Sequence, residues 1–466
     1  MNTNSAKSFK PTKVTLTSVN GIEYIITDLV GLFVYFEDIF MPFVTANMTI
    51  IDSGQNLIGT MPIQGGEDVL VEFKDIKDEE IEYRFKIWKV YNRAFDRKVQ
   101  TYNLALMSPE ALVNESARVT DKIKGKPEAV VQTLLQQELG TEKQLFAEPS
   151  KFSENVFPNG RKVHAIIQKM MVRTVPMSSQ FEVGKSKAST DPGSSNLGGD
   201  NIQKAKGTAG YLFFENKNGF YFQSIDRLCS DGSDSFGGTA PVATYISRPA
   251  TNNTIEQNFF TIEEYKFTDE IDIISKLNNG IFSTHMCFFD VSAQKYEEYQ
   301  YDMRDTFNNM SHLGSQTKLP KAQREAAAKP SRVMSILLDH ESWYDDTSIA
   351  RPEENGDAQF PDYAKYWVSQ SIGRRYLMEN QRIEISVPGN KNLKVGDKIK
   401  ILIPNMSAEA LRVEQQYDEE NSGTYLIAQI SHNFICKKEN GNPEFVTRMG
   451  LIRDTYGIKE YESNVK

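Results

Sequence analysis

The sequence predicts a mainly β protein with two antiparallel β-barrels, each interrupted by an inserted segment that carries helix. Three observations lead there. Strands with strict two-residue alternation open and close the chain, helical periodicity is confined to interior stretches, and both halves run strands, long insertion, strands. A length of 466 residues is a prior for roughly three units at about 150 residues each, some of them discontinuous.

The first hundred residues read as sheet. Ile81, Tyr83, Phe85 and Ile87 alternate with Glu82, Arg84, Lys86 and Trp88, so one face is apolar and the other mostly polar. Val14-Leu16, Val69-Val71-Phe73 and Tyr102-Leu104-Leu106 give similar strands, separated by turn signals at Asn20-Gly21, Asp52-Ser-Gly54 and Gly65-Gly66. The period then changes. Pro127 opens a helix through Val130, Val131, Leu134, Leu135 and Leu139, closed by Gly140, and a second helix is expected from Val163 to Val172. Gly184 to Gly207 has only Leu197 and Ile202 as large apolar residues and reads as a mobile loop. Strand character returns at Tyr211–Phe214 and Phe220–Ser224 across the Asn218-Gly219 hairpin signal, which makes the helices an insert.

A second sheet-rich region starts near Phe259 and runs past Thr284 to Val291, with a short helix at Ile273 to Leu277 ahead of Gly280. A polar connector, Asn308 to Pro330, contains a marginal helix at Lys321 to Lys329, and a further helix is expected from Ala364 to Tyr376. Strands resume at Ile383–Val387, Lys398–Ile403, Thr424–Ile430 and Phe445–Ile452. This order divides the chain into 11–110 with 209–228 as the first barrel and 111–208 as its α-containing insert, including the loop 184–207. The second barrel takes 229–300 with 382–456, the connector and helical segment take 301–381, and 457–466 is a C-terminal tail. Gly66-Glu67-Asp68 and Gly396-Asp397-Lys398 each lead a glycine and an acid into an alternating strand, a modest sign of duplication.

Composition narrows the function. The chain is 39% hydrophobic and 25% charged, ordinary for a folded soluble protein, and 53 Lys and Arg against 62 Asp and Glu give a formal net charge of -9. A polyanion would meet net repulsion, which argues against a nucleic-acid-binding protein. Cys229, Cys287 and Cys436 are odd in number and widely spaced, so small buried hydrophobes are expected rather than disulfides or a thiolate metal site. No stretch has the length of a signal-peptide core or a membrane span, so membrane insertion is not expected.

Motifs for chemistry are weak. Gly184-Lys185-Ser186 ends like a phosphate loop, but Ser179 stands where the pattern needs glycine. His164, His285, His312, His340 and His432 are scattered; His340-Glu341 begins like a zinc-protease helix, yet Tyr344 occupies the second ligand position. His432 lies in a strand and is read as a satisfied or interfacial histidine. The acid pairs Glu79-Glu80, Glu263-Glu264, Asp345-Asp346 and Glu419-Glu420 are read as solvated surface rather than as a glycosidase pair. The aromatic run Tyr211 to Phe222 holds only Lys217 as a base, so core or subunit contact is preferred to a nucleic-acid platform. No catalytic, cofactor-binding or metal residue is nominated.

Ordered strings carry a resemblance. Leu393 to Pro404, Ser422 to His432 and Thr447 to Asp454 resemble the second barrel of phage baseplate hub proteins, while Asp38 to Asp52 with Met61-Pro62-Ile63 and Gly66-Glu67 resembles the first barrel of the hubs of contractile-tailed phages. Gly219 to Leu228 resembles the segment that returns to that barrel after the insert. The resemblance implies two tail-tube-like barrels per subunit and a homotrimer whose six barrels join the sixfold tail tube to the threefold central spike. It further implies tail tube or tube-initiator proteins on one side, a central spike protein on the other, other baseplate proteins around, and DNA passing through the channel without specific binding. The expected place is the virion tail baseplate, assembled in the host cytoplasm, with no cofactor and no enzymatic activity. The competing classes are a tail-associated peptidoglycan hydrolase and a carbohydrate-binding host-attachment protein.

Overall fold

The computed structural model describes residues 6–54, 56–61, 63–74, 80–96, 99–179, 207–247, 254–269, 272–291, 294–316, 319–338, 363–405, 416–437 and 442–457. The phosphate-loop-like end and the expected mobile loop, apart from Gly207, lie outside these residues, as do His340 and Asp345-Asp346. The N-terminal strands are β1 (Lys10–Thr17), β2 (Glu23–Ile25), β3 (Val30–Asp38), β4 (Thr45–Asp52), β5 (Asp68–Lys74), β6 (Glu80–Asp96) and β7 (Val99–Met107). An insert follows with β8 (Ile123–Gly125), β9 (Leu145–Ala147) and β10 (Glu154–Val156), then the hairpin β11 (Tyr211–Asn216) and β12 (Gly219–Ser224). The second half holds β13 (Ala243–Ser247), β14 (Thr261–Ile262), β15 (Glu264–Asp269), β16 (Ser283–Asp290), β17 (Lys295–Asp302), β18 (Arg332–Leu338), β19 (Gln381–Pro388), β20 (Lys398–Leu402), β21 (Gly423–Ile435) and β22 (Glu444–Arg453). The fold is mainly β, with helices in the insertions, as the alternation predicts.

The five expected helices are present, and short helices at Leu57–Thr60, Pro109–Ser116, Ile225–Cys229 and Ile255–Phe259 were not expected. Pro127–Thr133 continues into a π turn, Leu134–Glu138, and Gly140 follows at φ 63°. Val163–Met171 buries Val163, Ile166, Ile167 and Met170. Ile273–Asn278, Lys321–Ala326 and Tyr363–Leu377 match the remaining expectations within a few residues.

Among the described residues, fourteen strands form one sheet. Within it, eight run in the order β15-β19-β22-β21-β3-β4-β7-β6, every neighbour antiparallel. The two halves of that series repeat one another: β15-β19-β22-β21 has the order and directions of β3-β4-β7-β6. The agreement extends to single hydrogen bonds. Gly66 N–H donates to the Ile87 carbonyl at 2.7 Å and Ile87 N–H to the Glu67 carbonyl at 3.0 Å; Gly396 donates to Ile427 at 3.0 Å and Ile427 to Asp397 at 2.9 Å. Both glycines are left-handed, at φ 96° and 87°, a conformation that costs glycine little. Immediately afterwards each ladder slips by one residue, between Ile87 and Lys89 against β7 and between Ile427 and Gln429 against β22. The short echo in sequence is therefore a duplicated structural unit.

Two cores lie under this sheet. The first contains Phe33, Tyr35, Met48, Phe73, Phe85 and Leu104, together with Phe434 and Phe445 from the far end of the chain. The second contains Ile383, Ile385, Ile399, Tyr425, Leu451 and, from the hairpin, Leu212 and Phe214. Strands β21 and β22 cross from one to the other. Around the first core, β22 also meets the start of the chain, where Phe445 N–H donates to the Lys7 carbonyl at 2.7 Å and Ser8 bridges to Glu444.

The sheet memberships depart from the expected grouping in two places. Residues 211–224, grouped above with the first barrel, pair with β9 of the insert instead. The reason is that both faces of β11 are buried, Tyr211 and Phe213 against the insert core and Leu212 and Phe214 against the second core, so the hairpin is a wall between them. Residues 283–300, grouped with the second barrel, fall in β16 and β17, which form a separate three-stranded sheet with β18. That sheet has its own core, with Phe282, Met286, Phe288 and Tyr301 against Val368 and Leu377 of the long helix.

Candidate functional site

The feature that the duplication builds is a continuous sheet face. Along β4, Ala46, Met48 and Ile50 are buried while Thr45, Asn47 and Thr49 are partly exposed; on β21, His432 and Phe434 are buried while Ser431 and Asn433 are partly exposed. Glu384 and Ser386 on β19, Arg448 on β22 and Lys266 on β15 continue the outer face. Period-two alternation gives this arrangement directly: apolar residues face the two cores, and small or charged polar residues face away. Thr49 donates to Asn103 at 2.9 Å across β4 and β7, so the outer layer is itself cross-linked by hydrogen bonds. A shallow hollow of about 640 Å³ on this face is bordered by Phe36, Lys266, Glu384, Ser431 and Arg448. Such a surface presents a largely polar wall.

Buried ions hold the wall's supports together. Glu37, at the end of β3, accepts from the Tyr35 hydroxyl at 2.6 Å, from Lys217 N–H at 2.7 Å and from Val395 N–H at 2.9 Å, tying the hairpin turn and the Gly396 turn to the first half. Burial pushes its carboxyl up to about 7, against the pull of those three donors. Glu215 accepts from Val44 N–H at 2.9 Å and from Lys143 at 2.6 Å, which stitches the hairpin to the turn between β3 and β4. Arg374, fully buried, donates to Asp454 at 2.7 Å and lies 3.5 Å from Asp226. Asp454 also pairs with His312 at 2.7 Å, and Asp226 accepts from Thr208 and Ser311. Burial opposes the Asp454 charge, but His312 and Arg374 outweigh it and hold the carboxyl well below the usual range. One cluster thus joins the long helix, the connector, the helix Ile225–Cys229 and the residue after β22.

The residues singled out for chemistry are dispersed. His432 is buried under Tyr35, with its Nδ1 3.0 Å from Thr447 Oγ1, and burial pushes it down to about 3. His164 stands beside Phe43, and His285 faces Glu298 at 3.4 Å. Glu263 pairs with Lys7 at 2.8 Å, while the Glu420 carbonyl accepts from Arg453. Among the described residues, no group of three or more His, Cys, Asp or Glu side chains could hold a metal ion. The aromatic run is core, with Phe213 stacked on Phe220 at 5.6 Å and Phe214 on Tyr221 at 5.3 Å. No helix among the described residues is long and apolar enough to cross a membrane. Sequence reasoning missed the Arg374 cluster, because its four members lie far apart in the chain. The one signal was a pair of adjacent charges following apolar or small residues, at Asp226-Arg227, Arg374-Arg375 and Arg453-Asp454.

No family model and no curated protein sequence matches the chain. Solved structures do. A tail protein from Neisseria meningitidis MC58 superposes with a TM-score of 0.50 at 9% identity, covering 96% of this chain and 97% of its own. A 43 kDa tail protein of prophage MuSo2 from Shewanella oneidensis gives 0.44 at 9% identity, with 95% and 98% covered, and a prophage tail protein from Listeria monocytogenes EGD-e gives 0.43 at 10%, with 95% of each. The chain has the fold of the Neisseria tail protein over nearly its whole length. At 9% identity the likeness is one of fold.

Proposed function

We propose that the chain is a structural hub subunit of a contractile-tail baseplate, working as a closed homotrimer rather than as an enzyme. The observation that carries this reading is the duplicated four-strand unit: each chain supplies two equivalent wall segments, so three chains supply six. A ring of that kind meets a sixfold tail tube on one side and a threefold spike on the other, with the polar outer face of the eight strands lining the channel for DNA. Soluble homo-oligomers close by default, and a ring of sheets leaves no free edge. In this reading the first domain is β1–β7 completed by the ends of β21 and β22, and the second is β13–β15 with β19–β22. The insert 111–208 with the hairpin, and the sheet β16–β18 with the long helix, form the outer parts that contact other baseplate proteins. The test is native mass measurement with imaging down the symmetry axis, at micromolar protein with and without a spike partner. A trimer with six similar lobes is expected; a stable monomer or dimer in both conditions, or hydrolysis of cell walls abolished by one acidic substitution, contradicts the reading.

A further inference from the structure

We propose that copies of the chain join head to tail, β15 of one copy adding to the C-terminal part of β6 of the next, with Phe95 entering the neighbour's second core. The proposal rests on the hub reading and specifies its subunit interface. Within one chain the joint already exists once. β21 pairs with β3 from Ser431 opposite Phe36 to Ile435 opposite Leu32, and Phe434 thereby reaches the first core, 5.4 Å from Phe9 and 4.7 Å from Phe73. The repeat gives each member of this joint a counterpart. Phe95 stands opposite Gln100 on β7 as Phe434 stands opposite Phe445 on β22, and Lys266 stands opposite Glu384 as Val34 stands opposite Asn47.

The counterparts are open. Past Ile87, β6 keeps its ladder to β7, with a further slip between Tyr91 and Ala94 that β21 lacks, but has left β5; among the described residues its other edge has no strand partner and β15 pairs only with β19. Phe95 is 69% exposed where Phe434 is fully buried. An unpaired edge bearing an exposed aromatic invites another strand, and folded proteins ordinarily blunt such edges. The neighbour's side fits, since Tyr265 and Phe267 of β15 already pack, half-buried, against the second core. Carrying the internal register across places Lys266 opposite Ala94 and Tyr265 opposite Phe95. It also places Glu264 opposite Asp96, a like-charge pair unfavourable by itself, with Lys266 diagonal to Asp96 and two residues from Glu264 on the same face of β15 to offset it.

The test uses the full chain. Ala94→Cys combined with Lys266→Cys should form inter-chain disulfides under mild oxidation, whereas each single variant should not. Phe95→Asp should weaken self-association at least about 30-fold by sedimentation, as loss of an interface anchor does, while leaving the far-ultraviolet spectrum of the monomer unchanged. A trimer that forms without the cross-link and tolerates Phe95→Asp overturns this interface and leaves the hub reading standing. Cross-linked open chains with no closed trimer support the interface and overturn the ring. A chain that stays monomeric throughout overturns both.

Discussion

Phe434 shows how one side chain couples the halves of the molecule. It belongs to a C-terminal strand, yet it fills the N-terminal core between Phe9, Phe33, Phe73 and Phe445. Phe434→Ala should cost about 3–5 kcal/mol in denaturant unfolding, the usual range for emptying a buried aromatic site. Arg374→Ala should cost a similar ~3–5 kcal/mol, because it strands the buried carboxylates of Asp226 and Asp454, and adding Asp454→Asn should recover part of it. Glu37 gives a pH prediction. Its folded carboxyl sits at about 7 against an ordinary 4.5, so its contribution is full below pH 4.5 and is lost as pH rises through about 7. At about 1.36 kcal/mol per unit, the stability difference between wild type and Glu37→Gln should move against the wild type by about 3 kcal/mol from pH 4 to pH 8. A difference that does not change with pH would remove Glu37 as the cause.

The glycine turns and the bulges that follow them are the elements repeated most faithfully, and their environments differ in a measurable way. A Cβ at Gly66 would meet nothing within 4 Å, whereas one at Gly396 would come within 3.0 Å of the Phe214 ring. Gly66→Ala should therefore show only the left-handed backbone penalty, about 1–2 kcal/mol. Gly396→Ala should lose more, and denaturant midpoints of the two variants compare them directly. Equal losses would mean that Phe214 moves aside freely.

The whole molecule behaves as one unit if β21 and β22 transmit between the cores they share. Phe434→Ala should then raise amide hydrogen exchange in β20 as well as in β3, although β20 borders only the second core. Exchange confined to β3 and its neighbours would separate the two barrels energetically. The same sharing explains why the expected domain limits and the observed sheet memberships part company: a boundary drawn along the chain cannot represent strands that serve two cores.

What was legible in the sequence was local. Alternation at Ile81 to Ile87 and at Ile383 to Val387, the helical spacing from Val130 to Leu139, and Gly140, Gly66 and Gly396 as turn residues all depend on side-chain periods and backbone sterics within a few residues. These yielded a mainly β chain with helical inserts and the hint of a repeat. The Asn218-Gly219 turn announced the β11–β12 hairpin, but partnership between strands distant in the chain was not legible, because ladder hydrogen bonds join backbone groups that nearly every residue carries alike. Tertiary structure alone put β21 beside β3, set the hairpin β11–β12 between two cores, and gathered Asp226, His312, Arg374 and Asp454 into one buried cluster. Burial decides which distant segments must meet, and only the complete packing specifies it.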